Sequence, residues 1–150
     1  STLEELSSGG FQLVIDDERI KDKAKVKRVV MCSGKVYYDL MDALKKSKPT
    51  DIAVVRVEQL YPIPHEELSF IFNSYPSDAE IVWCQEEPRN QGAWYQTMHN
   101  LRADMSEGQP LYYAGRPSSA SPAAGYFSLH VEEQNQLVAE AITIGGGQRY

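Results

Sequence analysis

Apolar and polar positions along this chain switch repeatedly between two periods. Val29, Val30, Met31 and Cys32 make a continuous apolar run, short enough to be a strand buried on both faces, and Lys27 to Cys32 is read as that strand. After Ser33-Gly34, the residues Val36, Leu40, Ala43 and Leu44 recur at helical spacing. Lys45, Lys46 and Lys48 then gather where a helix C-terminus favours cations, and Pro49 stops the segment. Ile52 to Val57 is a second β-branched run. Pro64 sets the first turn of a helix whose apolar stripe is Leu68, Ile71, Phe72 and Tyr75. A third strand is expected over Glu80 to Gln85, a helix over the Trp94, Met98, Leu101 and Met105 stripe, and a fourth strand over Leu111 to Ala114. Gly115 to Gly125, rich in Pro, Ser and Ala, reads as a long loop, and Leu137, Val138, Ala141 and Ile142 mark a last helix. Phe11, Leu13 and Ile15 alternate as an arm or edge strand would, and the run Gly145-Gly146-Gly147 predicts a flexible tail.

Strands alternating with helices predict right-handed βαβ crossovers, hence an α/β fold of three αβα layers around a mostly parallel sheet. Ligands of such sheets sit at the carboxyl ends of the strands. Here those ends carry Ser33-Gly34-Lys35, Glu58 to Tyr61, Gln85 to Pro88 followed by Asn90-Gln91-Gly92, and Gly115-Arg116-Pro117-Ser118, which would converge on one rim.

Composition narrows the chemistry. In 150 residues, 21 acidic side chains against 15 basic ones give a formal net charge of −6, the opposite of the broad basic field that grips a phosphate backbone, so nucleic acid is excluded as an expected partner. No apolar run is long enough to cross a bilayer, and the first ten residues are too polar for a signal peptide. Cys32 and Cys84 follow no CxxC spacing and read as reduced, buried thiols, with no metal site expected on them. The start at Ser1 without Met suggests a piece of a longer polypeptide.

Several phrases, taken in order, carry a resemblance. MCSGKVYYDL, VRVEQLYPIP, WCQEEPRNQGAW, YAGRPSSASPAAGY and HVEEQNQLVAEA are together similar to the C-terminal domain of the thiamine-diphosphate-dependent first component of 2-oxoglutarate dehydrogenase, with EQLYP and QEEPxNQGAW the specific elements. The resemblance implies a transketolase-type C-terminal domain over residues 26–142, a connector or arm from an upstream domain over 1–25, and a flexible tail over 143–150. Its GGGQRY ending departs from the family. The parent enzyme so implied decarboxylates 2-oxoglutarate on thiamine diphosphate and Mg2+, then passes a succinyl group to a lipoyl-bearing succinyltransferase component. It works as a homodimer in the bacterial cytoplasm or the mitochondrial matrix. Both cofactors would be held by the upstream domains, none by this one, and the chain alone is expected to be inactive. Its expected role is structural and regulatory: dimer assembly, with Trp94, Tyr95, Tyr112, Tyr113 and the loop Ser118 to Gly125 as candidate packing residues, and binding of an effector such as acetyl-CoA or a nucleotide. The alternative is an independent nucleotide- or CoA-binding α/β module.

No catalytic residue is assigned. His65 reads as a surface histidine in the first turn of a helix rather than a general base, and His99 as a half-buried structural one. Without His, Asp and Ser in a recognisable arrangement, a hydrolase triad is not expected. Glu86 and Glu87, paired at a strand end, could offer an acid or base, but adjacent strand residues point to opposite faces, and the preferred reading has one carboxylate tie the rim by accepting backbone N–H groups or by pairing with Arg116 or Lys35. The candidate effector-binding residues are Ser33, Lys35, Gln91 and Arg116. A Gly-containing turn before a helix offers free N–H groups, Ser33 adds a hydroxyl, Lys35 an ammonium and Arg116 a planar fork, while Gln91 suits an amide or base. The competing reading has Ser33 capping the helix and Arg116 tying a loop to a carboxylate.

Overall fold

The computed structural model describes residues 13–90, 93–116 and 127–150. Its elements follow in the order β1 (Val14–Ile15), a single 3₁₀ turn (Lys23–Lys25), β2 (Arg28–Cys32), α1 (Val36–Ser47), β3 (Ile52–Val57), α2 (His65–Ser74), β4 (Glu80–Pro88), α3 (Trp94–Asp104), β5 (Leu111–Arg116), α4 (Phe127–Ala141) and β6 (Gln148–Arg149). They build the three-layer α/β architecture expected from the sequence.

The sheet runs β1-β3-β2-β4-β5-β6. Its four inner strands are parallel, and the two edges, β1 on β3 and β6 on β5, are antiparallel. From β2 the chain first steps outward to β3, then returns across β2 to β4 and continues to β5. Crossovers of one hand made in opposite directions put their helices on opposite faces. Accordingly Leu68, Ile71 and Phe72 of α2 share a core with Trp94 and Leu101 of α3, built on Val29, Met31, Val55, Ile81 and Trp83. On the other face Leu40 and Leu44 of α1 meet Leu137 and Ala141 of α4 over Val30, Cys32, Val54, Val82 and Cys84. The sheet reverses its winding direction between β2 and β4, which makes the mouth between their carboxyl ends the natural binding position of the fold.

Three features depart from the sequence pattern. First, β4 runs three residues beyond Gln85, because the register shifts between Gln85 and Pro88. The bulge absorbs a proline that has no N–H to give a ladder. Gln85 fills it: Oε1 accepts from Trp83 Nε1 (2.9 Å) and Nε2 donates to the carbonyls of Glu87 and Pro88 (both 3.0 Å).

Second, both sheet edges carry strands of two residues: β1 lies at the end of the alternation read as an arm or edge strand, whereas β6 falls in the segment expected as a flexible tail. Where β1 ends, Asp17 and Arg19 take over its work on β3: the Val54 N–H donates to Asp17 Oδ2 (2.8 Å) and Arg19 Nη2 donates to the Ile52 carbonyl (3.1 Å). Side chains thereby satisfy an edge that would otherwise be open for pairing.

Third, Arg28, at the start of a strand that the pattern reads as apolar, is fully buried. Its Nε donates to Glu80 Oε1 (2.8 Å), Nη1 to the carbonyls of Glu140 and Ala141 (both 2.8 Å), and Nη2 to the carbonyl of Gly146 (2.5 Å). Its guanidinium also lies 5.0 Å from the centroid of the Tyr112 ring. One side chain thus closes the C-terminus of α4, whose last carbonyls have no partner within the helix.

Candidate functional site

An open cleft of about 610 Å³ lies at the carboxyl edge of the sheet, lined by Lys35, Tyr38, Asp39, Glu86, Glu87, Arg116 and Gln134. Each element of the switch point contributes. The end of β2 turns through Gly34, whose φ of +78° suits glycine, and Lys35 is the N-cap of α1 without a side-chain capping bond. The first turn of that helix supplies Tyr38 and Asp39. The bulged end of β4 supplies Glu86 and Glu87, the end of β5 supplies Arg116, and α4 supplies Gln134.

A polar network closes the floor. Arg116 Nη1 donates to the Glu86 carbonyl (2.5 Å) and Nη2 to Gln134 Oε1 (3.0 Å), while Nε stands 4.0 Å from Glu133 Oε1. The amide of Gln134 turns its Nε2 toward Asp39 Oδ2 (2.8 Å) and Glu86 Oε1 (2.9 Å). Glu86 therefore does tie the rim, but to Arg116 through its main chain and to Gln134 through its carboxylate. Tyr113 adds a further tie, donating from its hydroxyl to the Arg116 carbonyl (2.9 Å). Gln134 was not singled out by sequence reasoning, because one amide in the polar run HVEEQNQ carries no spacing signal.

Of the four residues expected at an effector site, the fold brings Lys35 and Arg116 to one cleft. Ser33 is half-buried, outside the lining, and two residues ahead of the N-cap, so it does not cap α1 as one reading had it. Gln91 lies outside the described residues, as does the loop Ser118 to Gly125. Asn90 is exposed. The cleft's three carboxylates, Asp39, Glu86 and Glu87, outnumber its two cations, so any anion held here would have to reach Lys35 and Arg116 past them.

His65 and the two cysteines take structural places. His65, in the first turn of α2 as expected, shares a hydrogen bond through Nδ1 with Asp104 Oδ2 (2.7 Å), and Ser69 donates to Asp104 Oδ1 (3.1 Å), so the three side chains clamp α2 to α3. His99 is exposed, where the helical stripe predicted half-burial. Cys32 and Cys84 face each other across the β2–β4 ladder and are fully buried. Burial pushes the Cys32 thiol up to about 12 and that of Cys84 well above its ordinary value, which makes both poor nucleophiles. Trp94 and Tyr113, candidates for interface packing, belong instead to the core, whereas Tyr95 is exposed. No group of three or more His, Cys, Asp or Glu side chains able to hold a metal ion occurs among the described residues. No helix among them is long and apolar enough to cross a membrane.

Comparison with known proteins places the architecture. Residues 1–142 match the family described as 2-oxoglutarate dehydrogenase C-terminal. The chain is 52% identical to the 2-oxoglutarate dehydrogenase E1 component of Haemophilus influenzae, over 95% of this chain and 15% of that protein. The corresponding protein of Cupriavidus necator is 51% identical over 94% of this chain and 15% of its own length. A mitochondrial 2-oxoglutarate dehydrogenase of Schizosaccharomyces pombe is 38% identical over 95% of this chain and, again, 15% of its length. This chain therefore spans about 15% of the curated relatives it matches.

Proposed function

Because this chain belongs to the 2-oxoglutarate dehydrogenase C-terminal family, we propose that it serves as the assembly and regulatory domain of a first, decarboxylating component of that enzyme. In this reading the parent protein decarboxylates 2-oxoglutarate with thiamine diphosphate and Mg2+ and hands a succinyl group to a lipoyl-bearing partner. Both cofactors are bound by parts of the polypeptide outside residues 1–150, and the compartment is the bacterial cytoplasm or the mitochondrial matrix. The observation that carries it is the family match across the three-layer domain, in relatives named as E1 components.

Assembly is supported by large apolar side chains that the described residues leave uncovered: Phe70 is 77% exposed, Tyr61 62%, Tyr38 59% and Tyr95 49%. Aromatics of this kind are enriched where protein surfaces meet. Placing aspartate at Phe70 and Tyr95 in the full-length first component is expected to weaken its self-association in sedimentation velocity. A double variant that sediments as wild type at every concentration would argue against these faces as contacts.

A regulatory role rests on the convergence of Lys35 and Arg116 on the switch-point cleft, with Tyr38 beside them as a surface for stacking. Removing one charge-assisted contact from such a site costs roughly 1.5 to 3 kcal/mol, or about ten- to hundredfold in affinity. In the full-length enzyme, Lys35→Ala and Arg116→Ala should each raise the concentration of acetyl-CoA or nucleotide needed for a half-maximal response. Ser33 and Gln91 are the secondary candidates. An unchanged dose-response in the Lys35/Arg116 double variant would remove the effector reading and leave Arg116 as a tie between β4, β5 and α4.

A further inference from the structure

Residues 143–150 cross the open side of β5 beyond the stretch matched to the family, and the fold specifies almost every one of them. Gly145 adopts φ +78° and its N–H donates to Glu80 Oε1 (2.9 Å). At Gly146 a Cβ would stand 2.5 Å from the Glu140 carbonyl oxygen. At Gly147, with φ +91°, it would stand 2.6 Å from that of Tyr113. Both approaches are closer than a side chain tolerates, so the triglycine is required by shape as well as by conformation. Gln148 and Arg149 pair antiparallel with Tyr113 and Tyr112, and the Tyr150 N–H donates to the Leu111 carbonyl (2.8 Å).

The aromatic end is held as closely as the backbone. The Tyr150 ring meets Trp94 edge-on, with centroids 5.0 Å apart and planes at 68°. The Arg89 guanidinium lies 4.9 Å from the Tyr113 ring centroid and 6.0 Å from that of Tyr150. Arg102 donates from Nη2 to the main-chain oxygen of Tyr150.

We propose that the outer edge of β5, together with the shelf of Trp94, Tyr113 and Arg89, is a strand-binding site for an extended Gly-Gly-Gln-Arg-Tyr segment, and that the chain's own tail occupies it as a detachable strap. Recognition divides in the manner of strand addition: main-chain hydrogen bonds along β5 give affinity, and one aromatic anchor gives specificity. Detachment is built in by the same features. The paired segment has two residues, both with exposed side chains, and lies beyond Gly145 and Gly146, which Glu80 and Arg28 anchor, so the strand itself is at the weak end of local stability. When the strap lifts, the Leu111–Arg116 edge is left unpaired, which is the state that invites pairing with another chain.

The test uses the 150-residue chain. In Tyr150→Ala, amide hydrogen exchange of Leu111–Ala114 is expected to accelerate by about tenfold or more while β2 and β3 keep their protection. Adding the synthetic peptide Gly-Gly-Gln-Arg-Tyr to that variant should restore the protection, and the same peptide with Ala in place of Tyr should not. Gly147→Val, which blocks the approach to Tyr113, should reproduce the faster exchange with Tyr150 intact. The proposal is overturned if Tyr150→Ala and Gly147→Val leave exchange at Leu111–Ala114 unchanged, or if the two peptides protect the edge equally or not at all.

Discussion

Arg28 shows how much one residue can organise when its charge is spent on main-chain oxygens. Its side chain has no exposed surface, and its four hydrogen bonds join the start of β2 to Glu80, to the end of α4 and to the tail. Arg28→Met keeps much of the volume but leaves Glu80 without its cation and strips three carbonyls of a shared donor. Breaking a buried pair from one side costs about 3 to 5 kcal/mol, so the urea midpoint should fall by that equivalent. A loss below about 1 kcal/mol would mean that water replaces the guanidinium at little cost. Gly115 is constrained by space alone: a Cβ there would lie 2.4 Å from Tyr113 Oη and 2.9 Å from the Gln85 carbonyl oxygen. Gly115→Ala must displace the Tyr113 hydroxyl that donates to Arg116, and overpacking of this sort costs about 1 to 3 kcal/mol, measurable as a drop in Tm.

Among the elements, α3 joins the sheet core to the surface strap. Trp94 is fully buried, 5.1 Å from the Tyr113 ring and 5.0 Å from that of Tyr150, so Trp94→Ala should cost about 3 to 5 kcal/mol in urea denaturation. The central elements were legible because each buries a period: β3 lies at Ile52–Val57 where its β-branched run stands, and the α2 stripe faces the core at Leu68, Ile71 and Phe72. The edge at β1 was legible only as the end of a short alternation, and the edge at β6 was not legible, for a physical reason. A two-residue strand has no period, and β6 is placed by glycine conformations and a ring contact rather than by hydrophobic alternation. At the cleft, Lys35 and Arg116 could be placed because strand ends of a parallel sheet converge. Gln134 could not, since only the packing of α4 against β4 and β5 brings it there.

At the scale of the whole molecule, burial keeps several thiols and hydroxyls protonated past the pH at which they ionise in water. Burial raises the thiols of Cys32, to about 12, and Cys84 above an ordinary value of 9.0, and it raises the hydroxyls of Tyr37, Tyr75 and Tyr113 above 10.0. In the unfolded chain the thiols lose their protons as pH rises through about 9, whereas the folded chain keeps them. The folded state then binds more protons than the unfolded one, so unfolding free energy must fall with rising pH. The contribution is intact below about pH 9 and is lost progressively toward 12 and beyond, at up to about 1.4 kcal/mol per pH unit for each thiol. Between pH 9 and 10 the two cysteines act almost alone, because the tyrosines enter only above 10.0. Urea denaturation at half-unit steps from pH 8 to 10.5 should therefore show a decline that begins near 9. Cys32→Ala and Cys84→Ala should each lower stability at pH 8, through lost packing, yet flatten the slope between 9 and 10. A wild-type curve that stays level to pH 10, or a slope unchanged in the double variant, would show that the alkaline limit of this fold is set elsewhere than between β2 and β4.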